Sequence, residues 1–485
     1  MKEYTTANIR NVALVSHSSA GKTMLVEAFL HFSGATTRLG RIEDGTTTSD
    51  FDEEEIRRGI SLYTSVIPIE YKDKKFNFLD TPGYTDFVGE VISALRVADS
   101  AIILVDSVAG LEVGTELAWN YSSRFKLPRF LVINKMEREN ANFAKALASV
   151  QDYIDTRLVP MQLPWGEKQD FKGVIDLLTM KVLKGDGQTA IDIPAEYSEA
   201  ANQAHVVLME AAAEGDDALM EKYFENGELT TSEILAGLRS VVRAGAIVPV
   251  LVSSGVQEIG LAPMLAAIDT IMPSPVEIAP AVAHGKDGDE ELPCIDNGPL
   301  AAYVWKTTAD PFVGKQTVFR VYSGIMASDS RVWNQTKGIE ERMGSLQIPR
   351  GKENLSIKVV HSGDIGSVPK LSETATSNTL CDRGHPLILP VPEYPHALYR
   401  VAIIPKTQAD STKISPTLTR LCDEDMTLSW NMEMATNQTI LQGMGDQHID
   451  AAIRRAESKF QVNLLTTEPK VPFQETITKK GQAMH

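Results

Sequence analysis

What the chain has little of narrows its function before any motif is read. Its 485 residues hold three cysteines, Cys294, Cys381 and Cys422, all far apart. With no C-x-x-C pair, zinc-ribbon and dithiol redox chemistry drop out, and the separated thiols suit reduced residues of a cytosolic core. Nine histidines include no H-E-x-x-H and no cluster, so the usual zinc-hydrolase arrangement is missing and His448 is read as structural. No apolar run approaches the ~20 residues that a membrane span needs. Residues 1–11 are polar and of mixed charge, unlike a secretory signal. The expected location is the cytoplasm, with no membrane partner. Positive charge is also short: 47 Lys and Arg face 64 Asp and Glu, a net charge of −17. That balance argues against coating of nucleic acid by bulk charge, although a local patch can still meet RNA. The stretch 396–485 carries ten charges of each sign, so the whole excess lies upstream of it.

At roughly 150 residues per domain the length suggests three domains. Over residues 1–275, short apolar runs alternate with helical stretches: Val12–Ser16 then Thr23–Phe32, Phe76–Leu79 then Phe87–Val97, Ala101–Val105 then Gly114–Phe125, Phe130–Ile133 then Asn142–Ile154. Val248–Val252 with Leu261–Met272 adds one more unit after an interruption at about 160–246, read as an insert with its own strands and an alanine-rich helix. Such alternation predicts a mostly parallel sheet with helices on both faces. Pro273, Pro275 and Pro280, followed by Gly285 to Asp289, predict a linker. Residues 290–390 change to short β-type runs between turns, which predicts a small barrel. Residues 396–470 read strand, helix, strand, strand, helix, strand, the ferredoxin-like order. Residues 471–485 begin something new.

The chemistry sits at strand ends. After the first strand comes Ser16-His17-Ser18-Ser19-Ala20-Gly21-Lys22-Thr23, then a helix. The P-loop pattern G-x-x-x-x-G-K-[ST] cradles phosphates on backbone N–H groups, with Lys22 on the β/γ-phosphates and the Thr23 hydroxyl on Mg²⁺. Ser16 stands where that pattern has Gly, and alone the string is equally a chance helix start. Phe78-Leu79-Asp80-Thr81-Pro82-Gly83 ends another strand; Asp80 can hold the magnesium shell and the Gly83 N–H can meet a γ-phosphate. Asn134-Lys135-Met136-Glu137 is close to the N-K-x-D signature of guanine readers, in which a carboxylate accepts from two guanine N–H groups. Ser254-Gly255-Val256 ends a further strand, where a backbone N–H can meet the guanine carbonyl oxygen. All four fall on the carboxyl edge at which open α/β sheets bind ligands.

With these residues in place the chain resembles the translational GTPases, above all elongation factor G and its paralogues. Arg58-Gly59-Ile60-Ser61 resembles the end of switch I, and Asp80 through Phe87 resembles switch II. The strings 309–314 and 320–324 resemble the second-domain barrel. Pro405-Lys406-Thr407 with Gly443 through His448 resemble the third domain, and 471–476 the entry to a fourth, within which the chain ends. The resemblance implies GTP/GDP and Mg²⁺ as ligands, with Thr23, Ser61 and Asp80 around the metal. It also implies the ribosome (its RNA and proteins) as partner, and a monomer.

Departures from the family pattern matter as much. Ser19 replaces a P-loop Asp, and Ser61 replaces the switch I Thr while keeping a hydroxyl. Glu137 replaces the guanine-binding Asp with one more methylene. Tyr84 replaces the His that helps place the attacking water. A phenol can donate or accept a hydrogen bond but does not become a cation near neutral pH. The expectation is a ribosome-stimulated GTPase using Lys22 and Tyr84 in translation, with translocation as the role the family suggests. The rivals are a GTP/GDP-switched ribosome-binding module with little hydrolysis, and an ATP-using P-loop enzyme, which Asn134 and Lys135 oppose.

Overall fold

The computed structural model describes residues 1–485 except 186, 311–313, 472, 474–478, 480 and 485. Half of the string 309–314, and most of the string 471–476 and of the start of a fourth domain expected at 471–485, therefore fall outside the described residues. By contact the chain divides into two compact units, Met1–Glu393 and Tyr394–His485.

The first unit opens with alternating strands and helices: β1 (Ile9–Ser16), α1 (Lys22–Phe32), α2 (Glu53–Arg58), β2 (Ser65–Tyr71), β3 (Lys74–Asp80), α3 (Val88–Arg96), β4 (Ser100–Asp106), α4 (Val113–Arg124), β5 (Arg129–Asn134), α5 (Phe143–Gln151) and β6 (Arg157–Pro160). With the strand Ile247–Val252 they form one seven-stranded sheet, ordered β2-β3-β1-β4-β5-(247–252)-β6. All neighbours are parallel except β2 and β3. Strand residues alternate between two cores. Val12 and Leu14 face one that holds α1 residues Leu25 and Phe29, while Ala13 and Val15 face another that holds Ala94, Leu95 and Ala118. Phe29 stacks on Phe78 with ring centroids 4.8 Å apart. A sheet buried on both faces in this way carries apolar residues at nearly every position.

The insert contains a four-stranded antiparallel sheet between Gln162 and Ile191 and three helices, Ala195–Ala213, Asp217–Asn226 and Thr231–Arg243. The segment expected as a linker is instead partly folded: Ala281–Gly285 and Gly288–Leu292 pair as an antiparallel hairpin. Two residues, Lys286 and Asp287, suffice for its turn, because Gly288 takes a φ of 123° that a side chain would resist. Beyond it, antiparallel strands from Ala301 to Cys381 surround a core of Val304, Phe319, Val321, Val360 and Leu380, the barrel expected from the sequence. In the second unit four antiparallel strands run in the order Ser429–Glu433, Gln438–Gly443, Tyr399–Pro405, Leu464–Thr467. The helices Ile414–Glu424 and Asp446–Phe460 supply Leu418, Leu421, Ile449 and Ala452 to its core. This is the ferredoxin-like arrangement.

Candidate nucleotide site

β1 ends at Ser16 and α1 begins at Lys22, and the loop between them turns through left-handed backbone at Ser19 (φ 65°) and Gly21 (φ 99°). At Gly21 a Cβ would come within 2.6 Å of Asn134 Nδ2, so only glycine fits. No side chain caps α1 there. The first amides of a helix need an acceptor, and an anion is a natural one. Lys22 is buried; its Nζ donates to Ser16 Oγ (2.9 Å) and His17 O (3.4 Å). Burial pushes its ammonium pKa down to about 8, against the pull of Asp80 and Asp50. His17 turns its ring aside: Nδ1 accepts from the Gly114 N–H at 3.1 Å and Nε2 lies 3.5 Å from Glu112 Oε1. Its imidazole is committed to that loop.

α2 ends on Gly59, and Ser61 follows with its Oγ 3.2 Å from Thr23 Oγ1. Asp80, at the end of β3, is fully buried, with the hydroxyls of Thr23 and Ser49 beside its carboxylate. Burial raises its pKa, although the Lys22 charge and the nearby hydroxyls of Thr23 and Ser49 oppose the shift. Asp50 joins this cluster and carries no local signal in the sequence. Burial and then the Asp80 charge push its carboxyl up to about 7, against a hydrogen bond with Ser61. Among the described residues no group of three or more His, Cys, Asp or Glu could cage a metal. A cation here would rely on one or two carboxylates, hydroxyls, water and phosphate, which is the chemistry of Mg²⁺. Thr23, Ser61 and Asp80 fit that ion.

Gly83 lies directly on the loop: a Cβ would stand 2.7 Å from Ser18 Cα and 2.8 Å from Lys22 Nζ. Tyr84 precedes the short turn Thr85–Phe87 and is 42% exposed. It borders a cavity of about 30 Å³ with Ser16, Gly83, Val88, Leu117 and Tyr121. Its hydroxyl makes no hydrogen bond among the described residues.

On the other side of α1, Asn134 stitches three loops together. Its Nδ2 donates to Ala20 O (3.0 Å), and its Oδ1 accepts from Ser253 Oγ (3.0 Å) and the Gly255 N–H (3.3 Å). The amide expected to serve the base is thus also a structural brace. Lys135, at φ 63°, donates to Ser19 O and pairs with Asp106 at 3.0 Å. Burial pushes the Asp106 carboxyl up, but the Val108 N–H, Lys135 and Arg138 outweigh it and hold the pKa below its usual range. Glu137 differs: its Oε2 is buried with no partner among the described residues. Ser254 pairs with Ile259, and Val256 is exposed at the rim. All the predicted strand-end residues therefore meet at one edge. Asp50, Asp106 and Ser253 are additions of the fold. Asp106 and Ser253, at the tips of apolar strands, left a visible trace in the sequence, and Asp50 did not.

Fold and edge define a P-loop nucleotide-binding protein. Residues 7–274 match the model of the Elongation factor Tu GTP binding domain, residues 299–383 that of Elongation factor G domain 2, and residues 394–468 that of Elongation Factor G, domain III. A crystal structure of a protein from Thermus thermophilus is similar over 96% of this chain and 68% of that one, at 32% identity and a TM-score of 0.86. The chain belongs to the elongation factor G-like translational GTPases.

Proposed function

We propose that the chain binds GTP with Mg²⁺ and hydrolyses it to GDP and phosphate under stimulation by the ribosome, as a cytoplasmic, monomeric translation factor. One observation carries the reading: at this edge the buried Glu137 Oε2 has no donor among the described residues, and the fully buried Asp80 carboxylate has only the hydroxyls of Thr23 and Ser49 and the Lys22 charge beside it. Buried unpaired acceptors are costly and call for a ligand. The Glu137 oxygen is suited to guanine N–H groups, and the Asp80 oxygens to the shell of a cation beside Thr23 and Ser61. In this reading Lys22 and the α1 amides neutralise charge on the transferring phosphoryl group, the Gly83 N–H meets the γ-phosphate, and Tyr84 orients water. When bound, Mg²⁺ neutralises phosphate charge. Water adds to phosphorus as the bond to the GDP oxygen breaks.

A second reading has support of its own. The Tyr84 hydroxyl is unbonded among the described residues and its ring is substantially exposed, which favours a GTP/GDP-switched ribosome-binding module with slow hydrolysis. GTP turnover measured with and without ribosomes, with ATP as competitor, separates the two. Ribosome-stimulated turnover supports the GTPase reading. Nucleotide-dependent ribosome binding with slow single-turnover hydrolysis supports the switch. ATP competing equally with GTP would overturn both.

A further inference from the structure

The segment that delivers Ser61 to Thr23 is held by groups outside the nucleotide loops, and one belongs to the barrel. The N–H groups of Leu62 and Tyr63 donate to Glu55 Oε1, both at 3.0 Å, and so anchor Ser61 to α2. The next residue, Thr64, is gripped on both sides of its peptide. Its N–H donates to Glu90 Oε2 at 2.7 Å, its hydroxyl to Glu90 O at 3.1 Å, and its carbonyl accepts from Lys306 Nζ at 2.9 Å. Lys306 Nζ also donates to Glu90 Oε2 at 2.8 Å and lies 5.3 Å from the centre of the Tyr63 ring. The side chains of Lys306 and Glu90 are 10% and 14% exposed, so the pair is little screened by solvent.

The placement of these three residues is informative. Thr64 stands three positions after Ser61 and leads directly into β2. Glu90 lies in the first turn of α3, just after Gly83 and Tyr84. Lys306 is carried by the barrel strand Ala301–Asp310, beside a register shift between Val304 and Lys306. A single, largely buried ion pair thus joins the Ser61 segment, the Tyr84 segment and the barrel. The barrel touches the same switch a second time. Gly351 leaves no room for a side chain against Thr48 O, and its N–H donates to Val66 O at 3.5 Å. Docking of the barrel does not depend on Lys306 alone. The buried pairs Arg320–Asp99 (2.6 Å) and Lys75–Asp364 (2.7 Å) join it to the first domain away from Thr64.

We propose that Lys306 is a positioning residue for GTP hydrolysis: through Glu90 and the Thr64 carbonyl, the barrel holds Ser61 against Thr23. Lys306 does not touch the reacting atoms; it fixes the peptide that presents a hydroxyl to the metal. This rests on the GTPase reading, and two of its consequences can be read without turnover. Lys306→Met keeps the length and apolar stem but removes the charge, and Lys306→Arg keeps the charge.

The test compares the full chain with Lys306→Met, Lys306→Arg and Glu90→Gln. Labelled GDP and GTP give affinities across a Mg²⁺ titration, trypsin reports access to Arg57 and Arg58, and single-turnover hydrolysis is followed with ribosomes in excess. Lys306→Met should bind GDP as the parent does, require more Mg²⁺ for GTP, expose Arg57 and Arg58 to faster cleavage in the GTP complex, and hydrolyse at least ~10-fold more slowly, about 1.4 kcal/mol. Lys306→Arg should recover the cleavage pattern and most of the rate, and Glu90→Gln should resemble Lys306→Met. Unchanged Mg²⁺ dependence and cleavage in a folded Lys306→Met variant would overturn the proposal. So would an equal loss of GDP and GTP affinity that Lys306→Arg fails to rescue, because that marks a purely structural role. A parent that binds no GTP would refute the functional reading instead, and nucleotide-free cleavage rates would still report whether Lys306 holds the segment.

Discussion

Glu137→Gln tests the base site most directly, because the structure predicts what it spares as well as what it harms. Glu137 Oε2 is buried and accepts nothing from the described residues. Asp106, by contrast, is saturated by the Val108 N–H, Lys135 and Arg138. Replacing the Glu137 carboxylate by an amide of the same shape therefore breaks no internal hydrogen bond of that oxygen, and stability should change by no more than about 0.5 kcal/mol. With guanine bound, the same change removes a charge-assisted hydrogen bond worth about 1.5–3 kcal/mol. That loss weakens GTP and GDP ~10–150-fold. Xanthine carries an oxygen where guanine carries its amino group, so the Gln amide should favour xanthosine triphosphate over GTP. Competition titrations against a fluorescent guanine nucleotide, with GTP, xanthosine triphosphate and ATP as competitors, measure all of this on one protein. GTP affinity within ~2-fold of the parent, in a variant that melts normally, would refute the placement of the base against Glu137.

Three further outcomes are expected. Lys22→Ala should weaken GTP at least ~100-fold, about 2.7 kcal/mol, by the same titration, whereas the defect of Thr23→Ala should shrink as Mg²⁺ rises. Tyr84→Phe should bind GTP normally but turn over at least ~10-fold more slowly with ribosomes in excess; unchanged turnover would leave Tyr84 as a packing residue. In the second unit, burial pushes the Asp425 carboxyl up, but His448 and Thr427 outweigh it and hold the pKa at about 2. A depressed carboxylate pKa gives stability that is present above about pH 4 and lost as pH falls towards 2, so Asp425→Asn should cost about 1–2 kcal/mol at pH 7 and flatten that acid limb. Hydrogen exchange over Gln438–Gly443 would report the change.

Much of this was legible because apolar runs and strand-end motifs follow local rules. β1, β4 and β5 announce themselves as unbroken apolar runs, and Asn134 and Asp80 sit at the ends of such runs. β2 does not stand out because Pro68 interrupts it. As the outermost strand of the sheet, β2 tolerates a residue that cannot donate to a neighbour. The helices Asp217–Asn226 and Thr231–Arg243 escaped the sequence reading although their signals are local. Asp216 and Thr230 cap them, Glu233 completes a capping box, and Gly227 stops the first. The helix Asp217–Asn226 has no buried residue, so it lacks the periodic stripe that a sequence reader looks for. The hairpin at 281–292 is hidden by its breakers. Asp50 and Lys306 lie in another class, because Asp50 meets Asp80 and Lys306 meets Thr64 only once the chain has returned on itself. No window of sequence holds that information.

The acids around Lys22 divide by what they already hold, and that division predicts how the site responds to its metal. Glu27 accepts the Thr48 N–H and Glu55 accepts those of Leu62 and Tyr63, so these two carboxylates fasten the switch backbone. Asp50 hydrogen-bonds Ser61, and Asp80 meets only the neutral hydroxyls of Thr23 and Ser49 beside the Lys22 charge. Like charges a few ångströms apart at an effective dielectric near 20 cost on the order of 3 kcal/mol, and Lys22 is the cation between Asp50 and Asp80. A divalent ion that arrives with the nucleotide relieves this crowding, so its binding is linked to stability. Nucleotide-loaded protein should therefore melt several degrees higher in Mg²⁺ than in EDTA. Asp80→Asn should raise the melting temperature of the nucleotide-free protein while removing most of the Mg²⁺ increment. Glu27→Gln, which strips charge from a carboxylate already satisfied by Thr48, should retain the increment. Equal melting of the loaded parent in Mg²⁺ and EDTA would mean that the Asp80 charge is balanced by Lys22 alone, and the metal assignment of Thr23, Ser61 and Asp80 would fall with it.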